Sequence, residues 1–327
     1  MITTTQSAGG LGESALPAIS SSTRPAWFSR PRTALYDLYC ELRDMSALDL
    51  GARLTLVLLI LYSGEYWYLK APMAIVCTCG VVFRQLFRTS TFWLLIALVL
   101  VWGNLLNWYT IDNHKYLMTY WTLALYCCLR LPKPQEALAW NARTLIGLCF
   151  AFSVLWKCIS GDFLNGGFFH LTILDDNRFH GVATALGGTQ LADFRHNSAK
   201  LAELVRFDSS LSDVVLREGA RVPLIALILT WWTMAIETLI AAAFLVPTTW
   251  KLSRYRHVFL ILFALTTYWV APVIGFGWLL LVMGVTQCDA SWPKTRALYV
   301  VTFFALQIST NTSKYVFDGL QHLIGSA

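Results

Sequence analysis

The sequence predicts an all-α fold: a polytopic bundle of about nine transmembrane helices. Three observations predict it. Of the 327 residues, 56% are hydrophobic and only 13% are charged, and the mean hydropathy is +0.54. A soluble domain of this size carries roughly 25% charged residues, so most of this chain is expected to avoid water. The apolar residues are also clustered, in runs such as 54–62, 91–102, 222–235 and 258–271. The 14 Trp, 13 Tyr and 19 Phe suit the aromatic belts at membrane interfaces.

Residues 1–33 are rich in Ser, Thr, Gly and Pro and lack the apolar core of a signal peptide, which predicts a disordered tail. Next, Leu35, Leu38, Tyr39, Leu42 and Met45 recur at helical spacing. They predict an amphipathic helix over 34–46, lying on the membrane surface. Spans are then expected at 53–69, 71–87, 91–108, 116–131, 141–159, 222–247, 257–272, 275–288 and 297–311, followed by a C-terminal tail at 312–327. Two of these rest on weaker patterns. Residues 71–83 form a short apolar run, and 257–288 read as one broken helix or as two spans meeting at Val270-Ala-Pro-Val-Ile-Gly-Phe-Gly277.

Charge parity arbitrates. Lys and Arg concentrate in cytoplasmic loops. The five basic clusters are Arg24/Arg30/Arg32, Arg84/Arg88, Arg130/Lys133, Lys251/Arg254/Arg256 and Lys294/Arg296. They fall on one side only when both weaker segments cross. That places the N-terminus inside, the C-terminus outside and residues 160–221 outside. The 62-residue outer segment holds eight acids against six Lys/Arg. A loop of that length is functional or partly helical. Leu201-Ala-Glu-Leu-Val-Arg-Phe and Leu211-Ser-Asp-Val-Val-Leu-Arg have amphipathic character and are expected to roof a cavity.

The net charge of +6 does not point to nucleic acid, because the basic residues form short clusters between apolar runs. None of the eight Cys forms a C-x-x-C pair, and no Cys/His spacing reads as a metal site. The expectation is of buried thiols acting as small hydrophobes, with no metal. His170, His180 and His196 share the outer loop without metal-ligand spacing.

Ionisable residues in or beside spans are functional candidates, because burying a charge in lipid costs about 2.5–3.5 kcal/mol. Five stand out: Glu65, His114, Lys157, Asp162 and Glu237. Lys157, near the outer end of the fifth span, reads either as a lysine snorkelling to the headgroups or as a base facing the bundle. His114 reads as a surface hydrogen-bonding residue or as a site group. Glu65 lies about 6 Å deep from the same side and is a candidate partner for Lys157. Glu237 is expected about 22 Å from the outer edge, apart from that site, with Arg143 as an equally good partner. Asp162 reads as a turn residue or a site residue.

Two segments resemble a known family. Asn113-His-Lys-Tyr-Leu117 is similar to the Asn-His-x-Tyr-Leu segment of vitamin K-dependent γ-carboxylase, of the horizontally transferred transmembrane domain superfamily. In residues 152–166, Lys157, Asp162, Phe163 and Gly166 keep the spacing of its next signature. Asp49-Leu-Gly-Ala-Arg53 resembles the start of that superfamily's first span. The likeness covers roughly residues 45–290. In the carboxylase, reduced vitamin K is deprotonated and oxygenated to a strong base that removes a γ-proton from Glu, and CO₂ is added. The resemblance implies an outward pocket with a quinone-like cofactor, Lys157 as the deprotonating base and His114 assisting the carbanion step, with Glu65 tuning the lysine.

Two departures qualify this. The carboxylase has adjacent lysines and usually assigns the second as base, whereas Cys158 follows Lys157 here. The carboxylase also carries a large soluble domain after its spans, whereas this chain ends 16 residues after residue 311. Protein γ-carboxylation is thus expected only with a membrane or secreted partner that supplies recognition. Two other readings stand beside the enzyme: a non-catalytic module binding a lipid, quinone or protein, and a transporter using Glu65 and Glu237 as a proton path. A plasma or inner membrane is the expected location.

Overall fold

The computed structural model describes residues 31–62, 66–206, 215–271, 273 and 275–324. Among these every regular element is helical. Residues 1–40 group apart from 41–327, and of the former the described residues, from Pro31, are helical.

The elements are α1 (Pro31–Asp44), α2 (Ala47–Tyr62), α3 (Trp67–Val82), α4 (Arg84–Phe87), α5 (Ser90–Leu106), α6 (Asn113–Cys128), α7 (Pro134–Ile159), α8 (Gly167–Asp175), α9 (His180–Val182), α10 (Leu191–Arg206), α11 (Val222–Leu245), α12 (Lys251–Arg254), α13 (Arg256–Val270), α14 (Phe276–Val285) and α15 (Pro293–Ile324). A 3-10 turn, Asn177–Phe179, and a π turn, Ala183–Gly187, flank α9. Several boundaries differ from expectation: the span expected at 53–69 is α2, Ala47–Tyr62, and the one expected from 141 begins at Pro134. The helix expected from residue 34 begins at Pro31, since proline's fixed φ suits a first turn. The helix expected to stop at 311 runs to Ile324 without a tail, because no glycine or proline interrupts 297–318. The disordered tail expected at 1–30 lies outside the described residues.

Two helices are long and apolar enough to cross a membrane: α7, of 26 residues, and α11, of 24. At 1.5 Å per residue they extend about 39 and 36 Å. α3, α5, α13 and α14 are apolar and shorter. α7 and α11 are not enclosed as core helices would be, since only 22% and 39% of their most apolar stretches is buried. Their outward faces carry Trp140, Phe152, Trp156, Leu224, Ile228 and Trp231, all exposed.

The main core is built around α14. Nine of its ten residues are buried, as expected of a helix that is apolar on every side. α2, α7, α13 and α15 surround it. Gly51 lets α2 reach the end of α14, because a Cβ there would lie 2.0 Å from Thr286 Cγ2. Polar ties are few and specific. Trp121 Nε1 donates to Thr55 Oγ1 at 2.9 Å, joining α6 to α2, and Trp278 Nε1 donates to the Phe303 carbonyl at 2.9 Å. Buried Asp49 accepts from Arg84 (3.2 Å) and from Arg88 (3.1 Å), which clamps the segment after α3 onto the start of α2.

Residues 257–288 resolve into two helices, α13 and α14, with Gly275 at φ +89° just before α14. Residues 160–221 are mostly helical and have their own small core. Ile173, Leu174, Phe179, Ala183 and Phe194 pack on Val222 and Ala226 of α11. Residues 201–206 continue α10, which begins earlier, at Leu191. Of the second amphipathic segment, 211–214 lie outside the described residues and 215–217 are not helical.

Candidate functional site

α7 and α11 pack against each other in an antiparallel register that three contacts fix. A Cβ on Gly147 would lie 2.6 Å from Leu245 Cδ2, Lys157 meets Glu237, and a Cβ on Gly166 would lie 3.7 Å from the Leu227 backbone. Gly166 sits at φ +86°, a conformation that favours glycine, and it turns the chain into α8. The roof therefore folds back along the first half of α11, and Glu237 stands level with Lys157.

Lys157 Nζ donates to Glu237 Oε1 at 2.5 Å, and Ser153 Oγ donates to Glu237 Oε2 at 2.9 Å. The side chains of Lys157 and Glu237 are 17% and 8% exposed, so the lysine turns inward and does not snorkel to solvent. Its ammonium also lies 5.1 Å from the centre of the Phe163 ring, within cation–π range. Ser153 and Lys157 are one helical turn apart, which sets both on the same face of α7.

This overturns the expected separation of Glu237 from Lys157. The depth of Glu237 was counted from residue 222 as a membrane edge, but the start of α11 lies under the roof. Nor is Arg143 its partner. The register sets Arg143 at the other end of α11, where Nε donates to the Phe244 carbonyl at 2.7 Å and Nη2 donates to the Val246 carbonyl.

Two cavities meet at the Lys157–Glu237 pair, sharing Val273 and Phe276 as well. One, of about 770 Å³, lies between the start of α6 and the C-terminal half of α7, and His114 lines it together with Lys157. His114 is 7% exposed, its ring centre is 6.3 Å from that of Phe276, and its Nδ1 is 4.0 Å from Asp112 Oδ2. The other cavity, of about 390 Å³, lies under the roof among α7, α8, α11 and α13. Aromatic side chains, among them Phe163, Phe168, Phe169, Phe179, Trp232 and Tyr268, share its walls with Thr172, Thr233, Thr266 and Thr267.

Of the residues singled out in the sequence, His114, Lys157 and Glu237 share the larger cavity. Glu65 lies outside the described residues. Asp162 is exposed and lines neither cavity, and its carbonyl accepts the Phe168 amide at 2.9 Å in the turn before α8. Its neighbour Phe163 is the side chain of that motif that turns inward. The sequence reading missed Ser153 and Tyr268. The one-turn spacing of Ser153 from Lys157 is a signal that could have found the first, but nothing local distinguishes Tyr268.

The three loop histidines have separate surroundings. His170 Nε2 contacts Glu218 Oε2, and His180 is stacked on Phe194 with ring centres 4.0 Å apart. His196 is partly buried. Among the described residues no cluster of three His, Cys, Asp or Glu side chains could hold a metal. All eight cysteines are free, with Cys77, Cys128 and Cys288 buried and Cys158 exposed beside Lys157.

In the roof, Arg178 is fixed by Asp176, whose carboxylate accepts from the Arg178 amide (2.9 Å) and from Nε (2.9 Å). Burial alone would raise the Asp176 carboxyl, but these bonds and the guanidinium charge leave it below its ordinary value of 3.8. Burial also lowers His180 from its ordinary 6.5, against the opposing pull of Asp176. Comparison with family models, with curated proteins and with solved structures returned no match.

Proposed function

We propose that the chain is a multi-pass membrane protein of about nine spans, in a plasma or inner membrane, with residues 160–221 on the outer side. The apolar, outward-facing surfaces of α7 and α11 support this, because contiguous exposed apolar surface on this scale needs a covering. Within it we infer an enzyme of the carboxylase-like kind that handles a lipid-soluble, quinone-like molecule in the larger cavity. The carrying observation is a buried Lys–Glu pair facing the same apolar hollow as His114.

The residues suit such a molecule: apolar walls from Leu117, Phe150 and Phe276 surround a polar centre. A bound hydroquinone would supply an acidic hydroxyl and, once deprotonated and oxygenated by O₂, a strong base. Glu237 is the group able to take a proton, on either carboxylate oxygen. Lys157 Nζ, which donates to that carboxylate, is placed to hold negative charge at the cavity wall. Ser153 keeps the carboxylate aimed at Nζ. His114 is available for a second proton step from the opposite wall. Cys158, exposed beside Lys157, leaves that lysine as the cavity's own cation on α7.

The test is turnover of reduced vitamin K by the detergent-solubilised chain. His114→Ala should abolish it at unchanged expression and melting temperature, Lys157→Ala should abolish it in a chain that still folds but melts lower because Glu237 is left unpaired, and Glu237→Gln should lower it strongly. If both alanine variants kept wild-type turnover, the enzymatic reading would fail. The second reading, a binding module, is favoured by the closed Lys157–Glu237 contact, which already engages the amine. Ligand binding without turnover in the wild type would select it.

A further inference from the structure

The basic clusters expected on the inner side are not neutralised alike. Asp49 accepts from Arg84 and Arg88, and Glu136 lies 3.0 Å from Lys133. Where α11 hands over to α13 the balance is missing. Among the described residues Arg143, Lys251, Arg254 and Arg256 take part in no ion pair. Arg143 and Arg256 are half-buried. Arg143 Nε and Nη2 donate to the Phe244 and Val246 carbonyls at the end of α11, and Arg256 Nη1 donates to the Ser253 carbonyl at 2.9 Å. The two stand near each other. The Phe244 ring centre lies 6.5 Å from that of His257, next in sequence to Arg256, and the two guanidinium charges oppose each other.

Each arginine keeps a donor to spare. Arg143 Nη1 and Arg256 Nη2 make no hydrogen bond among the described residues, and neither atom is sealed from solvent. Two like charges, partly desolvated and without a counter-ion, cost stability, and a bound anion would offset that cost. The planar guanidinium fork matches the oxygens of a phosphate. Lys251 and Arg254, exposed in the turn between the helices, add to the positive field. The neighbouring surface is that of a lipid site. Trp250 and Tyr255 are exposed on the same turn, as at a membrane interface, and Leu245 and Val258 present apolar side chains at the adjoining ends of α11 and α13. A free phosphate ion would use the arginines and none of this apolar surface.

We propose that the end of α11 and the start of α13 form a seat for the phosphate of an anionic phospholipid of the inner leaflet, with Arg143 and Arg256 as its phosphate-binding pair. Basic pockets between membrane helices on the cytoplasmic side take such headgroups. The seat rests on the membrane reading above and is independent of any turnover in the outer cavities.

The experiment titrates dioleoyl phosphatidylglycerol, dioleoyl phosphatidylcholine and inorganic phosphate separately into the full chain in dodecyl maltoside, and takes an apparent affinity for each from the rise in melting temperature. The wild type should prefer the anionic lipid to the zwitterionic one by about five- to twenty-five-fold, the worth of one to two basic contacts. Arg256→Gln should lose about fivefold of that preference. Arg256→Lys, which keeps the charge without the fork, should lose a smaller part, and it carries the test if the glutamine variant does not fold. Lys133→Gln, whose lysine is already paired with Glu136, should keep the preference. Equal affinities for the two lipids in the wild type would overturn the proposal. So would a preference unchanged in the Arg256 variants, or one lost as much in Lys133→Gln, which would mean diffuse charge and no seat. Inorganic phosphate stabilising the chain as much as the anionic lipid would overturn the lipid assignment. Sedimentation with membranes tests the membrane reading by itself: a chain that sediments but shows no lipid preference loses only the seat, whereas one that stays in the supernatant loses both.

Discussion

The bundle around α14 and the roof over α11 bury polar groups by different rules. In the bundle, polar side chains are sparse and pair across helices far apart in sequence: Lys157 with Glu237, Trp121 with Thr55, Arg88 with Asp49. In the roof, local ion pairs such as Arg178 with Asp176 and Lys200 with Glu203 stand beside longer ties, of buried Asn197 to Arg217 and of Thr189 to Gly219. A long-range pair inside an apolar bundle fixes which helices are neighbours and in what register. A local pair fixes only a turn. The bundle should therefore fail as a unit when one partner is removed, whereas the roof should loosen piecemeal.

The largest test of that contrast is Glu237→Leu. It leaves Lys157 charged and unpaired in the interior, and it should cost about 3–5 kcal/mol in denaturant unfolding. The double variant Lys157→Met/Glu237→Leu should recover most of it, because an apolar pair of similar size avoids the desolvation of both charges. A double variant no better than the single one would mean that the pair is not coupled as the geometry indicates. Next in size is Gly51→Ala, which puts a methyl 2.0 Å from Thr286 Cγ2 and should cost about 1–3 kcal/mol. Thr286→Ser should relieve it.

The roof gives smaller effects. Ile173→Val, in the roof core, should cost about 0.5–1.5 kcal/mol. It should speed hydrogen exchange in 167–206 and leave α14 protected. Equal acceleration in both regions would erase the distinction between them. Smallest is the response to pH. Burial holds His180 below 6.5 in the folded chain. Above that pH the imidazole is neutral folded and unfolded, and it contributes nothing to the difference. As pH falls through 6.5, the unfolded chain takes up a proton that the folded roof resists, so stability declines. Asp176, lowered in the folded state, keeps its contribution until pH falls below about 3.8. Thermal unfolding at about pH 7.5 and 5.5 should show a drop that His180→Phe removes.

Much of this was open to sequence reasoning. The hydrophobic runs and the 3.6-residue period gave α2, α5, α6, α7, α11 and α13 close to where they stand, because helix formation in an apolar stretch is a local event. Lys157 and His114 were singled out as ionisable residues in apolar surroundings, and they do face one hollow. Glu237 was recognised but set apart, because counting residues from a presumed membrane edge ignores how the intervening 62 residues fold back. Ser153 is marked only by its one-turn spacing from Lys157, and Tyr268 carries no local mark: a tyrosine in an apolar helix is ordinary until its neighbours are known.

The sequence alone determined the helical class, the apolar exterior that α7 and α11 present, and the small set of charges buried at a cost. Each of these follows from composition and short-range periodicity. Only the tertiary structure decided that Glu237 closes on Lys157 and that residues between 163 and 179 help to wall a second cavity. The reason is register. The sliding of α7 along α11 is set by close-packed contacts such as Gly147 on Leu245, and no spacing within either helix encodes which residue of one meets which residue of the other.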